Sequence, residues 1–288
     1  MLRLIRSLFF TGLLLLIFAA LPAQQVKEPS KRPPEWTEPY RPFRIAGNLY
    51  YVGTYDLACY LVATPQGNIL INTGLASSAP MIRANIELLG FAFADTRIVL
   101  TTQAHYDHMG AMAEIKKSTH AKLMVNKKEA PVILDGGASD YELGGNGATY
   151  AAMKPDRLLN DGDTIVLGGT TITMLHHPGH TKGSSSYLLD VKDDSASYRV
   201  LIANIPTIIT DRKFRDVKAY PGMEQDYQYT LKAMKALHFD LWVASHASQF
   251  DLHKKHHPGD AYNTRVFADR QLYDESLDKI SAEMAKHQ

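Results

Sequence analysis

The chain has 288 residues, 45% of them hydrophobic, and its 31 basic side chains nearly balance its 30 acidic ones. This apolar content supports a sizeable core and argues against a disordered chain. The balanced charge gives no basic surface for nucleic acid or for an anionic membrane. The single cysteine leaves no partner for an intrachain disulfide.

The first 23 residues predict a cleaved secretory signal peptide. Arg3 and Arg6 precede a nearly continuous apolar run, Leu8–Ala20, and Ala23 supplies a small residue for cleavage. The run is short for a transmembrane helix, and an uncleaved anchor is the alternative. We therefore expect an exported protein whose mature part, residues 24–288, forms one domain.

After a Pro- and Lys-containing arm at residues 24–40, short apolar runs alternate with longer amphipathic segments. The apolar runs predict strands at Asn48–Gly53, Cys59–Thr64, Asn68–Thr73, Arg97–Thr102, Lys122–Val125, Thr164–Leu167, Thr171–His176, Ser185–Asp190, Val200–Ala203 and Leu241–Ala244. The amphipathic segments predict helices at Ser78–Leu89, from about Gly110, at Glu224–Leu237 and at Tyr262–Lys286. Strands in sets, with helices between and after them, indicate an α/β domain of packed layers.

A dense polar motif, Gln103-x-His105-x-Asp107-His108, follows the strand predicted at residues 97–102. Turns at the carboxyl ends of strands are where α/β folds gather ligand groups. Residues 103 and 105 can point the same way while the chain is extended, and Asp107 and His108 can face a neighbouring point from the turn. Neutral imidazole and carboxylate are good zinc ligands, so the motif predicts one wall of a hydrolytic zinc site. A polar surface turn is the alternative.

Two further histidines follow predicted strands. His180 comes after Pro178-Gly179, and His246 ends the run that begins at Leu241. Either one alone is ambiguous, because a lone loop histidine is more often structural or solvated than a ligand. Together with the motif they put candidate ligands at the ends of three strands, as expected when one sheet edge builds a site. The histidines of the charged segment after residue 250 are expected to be solvated: His253, His256 and His257.

These residues and the runs around them resemble the metallo-β-lactamases of the third subclass. Within that subclass they resemble the GOB-type enzymes, which carry Gln where most relatives carry the first ligand His. The resemblance extends from about Phe43 to the C-terminal helix. It is carried by the runs FRIAGNLYYVGTYDLACYLV, ILINTG, TTQAHYDHMGA, DGDTIVLGGTTITMLHHPGHTKGS, RVLIAN and WVASHASQFDLH.

The resemblance implies an αβ/βα sandwich, the metallo-β-lactamase fold, with a site for one or two zinc ions between its sheets. The ligands of the first zinc would be Gln103, His105 and His180, and those of the second Asp107, His108 and His246. A carboxamide oxygen is a weaker donor to zinc than an imidazole nitrogen. The first position is therefore expected to be weaker than in relatives that carry His.

The implied activity is hydrolysis of the β-lactam amide bond, a basis of antibiotic resistance, in the periplasm where this family usually acts. Zinc lowers the pKa of bound water toward about 7, and the hydroxide attacks the lactam carbonyl. Asp107 is expected to orient that water. Thr207 is expected to meet the substrate carboxylate, although a strand-end Thr bonded to backbone is an equal alternative. Tyr141, in the Gly-rich loop predicted at Leu134–Met153, is a candidate wall of the substrate site.

Two other functions are compatible with the motif. One is a different hydrolase of the same fold, such as a lactonase or thioesterase. The glyoxalase-II-like branch has a bridging Asp where this chain has Asn204-Ile205, which argues against that branch. The other is a non-catalytic exported zinc-binding protein in which Gln103 marks a decayed site. We expect a small-molecule partner, no nucleic acid and no membrane after cleavage.

Overall fold

The structure is a computed structural model that describes residues 26–144, 147–193 and 196–288. The predicted signal peptide lies outside the described residues. Within the described ranges, no helix is both long enough and apolar enough to cross a membrane.

The first sheet has seven strands that lie side by side in chain order. The first four pair antiparallel, and the fourth to the seventh pair parallel. The strands are β1 (Phe43–Ala46), β2 (Leu49–Tyr51), β3 (Tyr60–Thr64), β4 (Gly67–Ile71), β5 (Thr96–Leu100), β6 (Lys122–Asn126) and β7 (Arg157–Leu159).

The second sheet has five strands in the order β12-β11-β10-β9-β8. Only β11 and β12 pair parallel. Gly168 and Gly169 join β8 to β9 with φ of 54° and 84°, the positive values that a tight hairpin turn requires. The strands are β8 (Thr164–Leu167), β9 (Thr170–His176), β10 (Ser185–Lys192), β11 (Ser197–Ala203) and β12 (Leu241–Ala244).

Helices cover the outer faces of the two sheets. One apolar cluster lies between α1, α3 and the first sheet, and the other fills the space between the sheets and continues under α5 and α7. The helices are α1 (Ala79–Leu88), α2 (Tyr106–Met109), α3 (Met112–Thr119), α4 (Ala130–Leu134), α5 (Met223–Lys235), α6 (Leu252–Lys255) and α7 (Arg270–Met284). The layers confirm the predicted αβ/βα sandwich.

The predicted and observed elements differ mainly in the shortest strands and at the ends of helices. Strands β1 and β7 have three or four residues, too few to show alternation, and were not predicted. The last helix begins at Arg270, not Tyr262, because the Asp269 carboxylate accepts the Leu272 amide at 3.0 Å and caps the helix there. Asp107 and His108 lie on the short helix α2 and not on an open turn.

Two of the three histidines expected to be solvated are packed instead. The His253 ring stacks on Tyr55 with centroids 3.5 Å apart, and the His256 ring stacks on Phe43 at 3.7 Å. Only His257 is exposed. The prediction was wrong because a charged local sequence does not reveal aromatic partners about 200 residues away.

Cys59 lies just before β3 and is 1% exposed. Burial raises the pKa of its thiol well above the ordinary value, although a hydrogen bond from the backbone at Gly74 acts in the opposite direction. Cys59 therefore acts as a small buried apolar residue and not as a reactive thiol.

Candidate metal centre

The candidate ligands converge because the strands that precede them end at one edge of the sandwich. Strand β5 leads into residues 103–108, the turn between β9 and β10 carries His180, and β12 leads into His246. A cavity of about 460 Å³ opens at this edge. It is lined by six of the residues singled out from the sequence: Gln103, His105, Asp107, His180, Thr207 and His246.

Asp107, His108 and His246 form what we call the second group. One donor atom from each lies within 4.8 Å of the other two. The Asp107 Oδ2 is 3.3 Å from His108 Nε2 and 3.4 Å from His246 Nε2. Apart from that 3.3 Å contact with Asp107, neither ring nitrogen of buried His108 has a hydrogen-bond partner among the described residues, and such poorly satisfied buried groups are costly. A cation at this point fits the donors present.

A carboxylate fixes His246 from behind. Its Nδ1 lies 3.0 Å from Asp56 Oδ2, while Asp56 Oδ1 accepts the Ser248 amide at 2.9 Å. The Trp36 indole N–H donates to the same carboxylate at 3.1 Å. When His246 is neutral, this partner assigns its proton to Nδ1 and leaves the Nε2 lone pair free for a metal ion. Carboxylate–histidine pairs of this kind orient metal ligands.

Gln103, His105 and His180 all line the cavity, and we call them the first group. His105 Nδ1 and His180 Nε2 are 3.1 Å apart. The opposite ring nitrogens face acceptors: His105 Nε2 lies 3.2 Å from Asp140 Oδ2, and His180 Nδ1 lies 2.7 Å from the Thr207 carbonyl. Burial opposes charge on His105, but Asp140 outweighs it and raises the pKa of that ring, so in the metal-free chain His105 Nδ1 can donate its proton to His180 Nε2. Release of that proton leaves both facing nitrogens free to bind one cation. The arrangement fits a metal ion.

The electrostatics of the centre favour a neutral His180 and an ionised Asp107, whereas His246 must lose a proton before it binds a metal ion. Burial lowers the pKa of His180 to about 3, so its ring is neutral, as a ligand must be. Burial disfavours charge on Asp107, but His108 and His246 outweigh it and hold the pKa of that carboxyl well below its ordinary value. Burial likewise opposes charge on His246, yet Asp107 and Asp56 raise its pKa to about 9 in the metal-free chain.

The two predicted substrate contacts differ in position. Thr207 lines the cavity, and its Oγ1 lies 3.1 Å from His180 Nδ1. The Tyr141 hydroxyl instead donates to the His180 carbonyl at 3.0 Å, and Tyr141 is not among the residues that line the cavity. Leu143, from the same Gly-rich loop, does line it. Leu143 is therefore a residue of this loop that lines the cavity, and the role of Tyr141 in substrate binding stays a prediction.

Sequence reasoning missed the residues that support the ligands. Asp56 and Trp36 gave no signal, since one lies in a short turn and the other in the arm. Asp140 lies in the Gly-rich loop that was predicted to be functional, and that was the available signal. At the strand end after β11, Asn204 is buried and bonds Ser245 Oγ at 3.2 Å and the Thr102 carbonyl at 3.3 Å. It supplies no carboxylate to the centre.

Comparison with known proteins gives matches of two kinds. The model of the Metallo-beta-lactamase superfamily matches residues 53–193. A hydroxyacylglutathione hydrolase of Rhodopseudomonas palustris (strain BisB5) is 28% identical over 139 residues, 48% of this chain and 45% of that protein. The chain thus matches less than half the length of this curated relative.

Solved structures match over nearly the whole chain. The class B3 di-zinc metallo-beta-lactamase LRA-12, from an Alaskan soil metagenome, is 63% identical with a TM-score of 0.90, covering 91% of this chain and 99% of that one. The metallo-beta-lactamase GOB-18 from Elizabethkingia meningoseptica is 55% identical with a TM-score of 0.91, covering 92% and 98%. The chain described here belongs to the class B3 metallo-β-lactamases.

Proposed function

We propose that this protein hydrolyses the amide bond of β-lactam antibiotics with zinc held at the cavity. The observation that carries the proposal is the pair of ligand groups at one cavity: donor atoms of Asp107, His108 and His246 lie within 4.8 Å of one another, and His105 Nδ1 lies 3.1 Å from His180 Nε2. The names of the two similar enzymes support it, since both are metallo-beta-lactamases. A small-molecule β-lactam is the partner that this cavity would admit.

The residues divide between two metal positions. The first group would hold one zinc ion and the second group the other. Bound zinc supplies a Lewis acid for the substrate carbonyl and lowers the pKa of bound water to about 7.

The chain's own residues position the reactants. The buried Asp107 carboxylate is ionised and can accept a hydrogen bond from the attacking water, which orients it, so Asp107 is the proposed catalytic residue. The Thr207 hydroxyl can donate to the carboxylate that β-lactams carry. Trp36, Leu143 and Ile209 provide apolar surface along the cavity, which limits the water that reaches the reacting bond.

The test is a substrate panel with purified residues 24–288 loaded with zinc. We expect opening of a carbapenem or cephalosporin ring, loss of turnover with EDTA, and recovery when zinc is returned. Lactone and thioester substrates serve as the comparison and should be turned over far more slowly, because Asn204 supplies no bridging carboxylate. Absence of turnover with several β-lactam classes at full metal loading contradicts the proposal. Metal binding without any hydrolysis supports the non-catalytic alternative.

The two positions should differ in affinity. The second group contains an anionic carboxylate, whereas the first group offers two neutral imidazoles and the Gln103 carboxamide, a weaker donor. At limiting zinc we therefore expect the second group to fill first. Site-resolved metal content measures this, and equal occupancy of both positions at limiting zinc rules it out.

We also propose that residues 1–23 direct export to the periplasm. The support is the basic start, apolar run and small residue at 23. Fractionation of expressing cells with N-terminal sequencing should find a periplasmic protein that begins at Gln24. A cytoplasmic or membrane-bound full-length product rejects this proposal.

A further inference from the structure

Behind the first group lies a buried acidic side chain that the proposed mechanism does not use. Glu129 follows β6 at the start of α4 and is 2% exposed. It is the N-cap residue of α4, but its side chain does not cap that helix. Its carboxyl instead accepts hydrogen bonds from the Ala104 amide and from the Thr181 hydroxyl.

These two partners belong to the two segments that carry the first group. Ala104 stands between Gln103 and His105, and Thr181 directly follows His180. A single carboxyl group therefore joins the segment of two candidate ligands to that of the third. Ser184 strengthens the second contact, since its Oγ accepts the Thr181 amide at 2.8 Å and lies 2.7 Å from Thr181 Oγ1.

Glu129 also packs against the segment after His180 as closely as the backbone permits. A Cβ added at Gly183 would lie 2.6 Å from the Glu129 amide nitrogen and 2.7 Å from its Cγ. Only glycine leaves that space. Burial raises the pKa of Glu129 to about 7, so a carboxyl is kept here at a cost that a purely apolar contact would avoid. The second group has a different support, the Asp56 carboxylate behind His246.

We infer that Glu129 is a positioning residue for the first metal position, which sets the spacing of the Gln103–His105 segment from His180 by bonding Ala104 and Thr181 together. The inference rests on the proposed function, because it assumes that these side chains hold a metal. It predicts that the contribution of Glu129 to metal affinity is confined to the first group.

The experiment titrates metal-free protein with zinc in competition with a chromophoric chelator. It is done with the wild-type protein and with a Gln103→His variant. In that variant the second equivalent of zinc should bind more tightly and be easier to resolve. The equivalent whose affinity differs between the two proteins is the one bound at the first group. Removing an outer hydrogen-bond partner of a metal ligand typically weakens metal binding by about 10–100-fold. We expect Glu129→Ala to weaken the first position by that amount and the second by less than about twofold.

Two variants serve as controls. Glu129→Gln keeps an oxygen acceptor at the same place and should retain affinity within about threefold of wild type. Ile133→Ala removes buried packing from the same helix, so it should lower the melting temperature without changing either affinity. If Glu129→Ala does not fold, Thr181→Val removes one of the two bonds and should weaken the first position alone.

Two results overturn the inference. One is an unchanged first-position affinity in the Glu129 or Thr181 variants in both backgrounds. The other is equal weakening of both positions, as a general loss of stability would give. Substrate is absent from these titrations, so a failure of the proposed function appears separately, as metal-loaded wild type that does not open β-lactams.

Discussion

The two halves of the metal centre are built from different chemistry. The second group contains an ionised carboxylate, Asp107, and two histidines within 4.8 Å of it. The first group is uncharged in its ligand form, and its support comes from Asp140, the Thr207 carbonyl and Glu129. Charge alone therefore favours a cation in the second group, whereas the first depends on how accurately its neutral donors are placed.

The largest expected effect is that of removing the charge that distinguishes the halves. Asp107→Asn leaves a neutral ligand and removes the group that orients water, so kcat/KM for a β-lactam should fall by about 10³-fold. Steady-state kinetics with saturating zinc measure it. Asp251→Asn, at a surface ion pair with Lys254, is the control and should be nearly silent. A fall in kcat/KM of less than tenfold contradicts the view that the Asp107 carboxylate distinguishes the second group from the first.

The pH dependence of stability should reveal a carboxyl that titrates near neutral pH beside the first group and none beside the second group. Burial raises the pKa of Glu129 from 4.5 to about 7, so between these values the folded chain binds a proton that the unfolded chain lacks. The associated stability is fully present below pH 4.5 and is lost as pH rises through 7, in total about 3 kcal/mol. Urea unfolding of metal-free protein from pH 5 to pH 8 should show most of this loss in wild type and not in Glu129→Gln. Parallel pH profiles argue against it.

The supporting carboxylates should act on their own halves. Asp56→Ala should weaken zinc at the second group, and Asp140→Ala at the first group, each by about 10–100-fold. The physical reason is that each fixes the proton and ring orientation of one ligand, His246 or His105. Each variant is the control for the other in the same chelator titration. If both variants weaken the same position, the division into halves is incorrect.

The smallest effect should come from making the halves more alike. Gln103→His replaces a carboxamide oxygen with an imidazole nitrogen, which zinc prefers, and should tighten the first position by about tenfold, or about 1.4 kcal/mol. Zinc content at limiting metal, measured beside wild type, gives the change. No gain in first-position occupancy indicates that Gln103 is not what limits it.

Much of the fold was predictable because its longer strands and helices carry their own periodicity. The runs that became β3, β5 and β10 are apolar enough to be identified without partners, and α1 shows its buried face in Ile82 and Ile86. The site was predictable to the same degree because strand ends in this layer arrangement meet at one edge. The resemblance then divided the ligands between two positions.

What the sequence did not reveal depends on long-range contacts. Asp56 and His246 are 190 residues apart, and no local pattern links them. Glu129 looks like an ordinary helix-start residue, because its partners Ala104 and Thr181 come from other parts of the chain. Tyr141 was placed at the cavity wall because only its loop, and not its rotamer, can be predicted from sequence.

The burial of Cys59 has a consequence for how the folding of this chain can be followed. A thiol reagent can reach this side chain only when the sandwich opens around β3, since the thiol is 1% exposed in the native state. Because Cys59 is the chain's only cysteine, the rate of thiol labelling measures the opening of the structure at one position, and no engineered probe is needed. Because metal bound at the strand ends favours the closed state, the labelling rate should slow as zinc is added, which reports metal occupancy through the kinetics of unfolding.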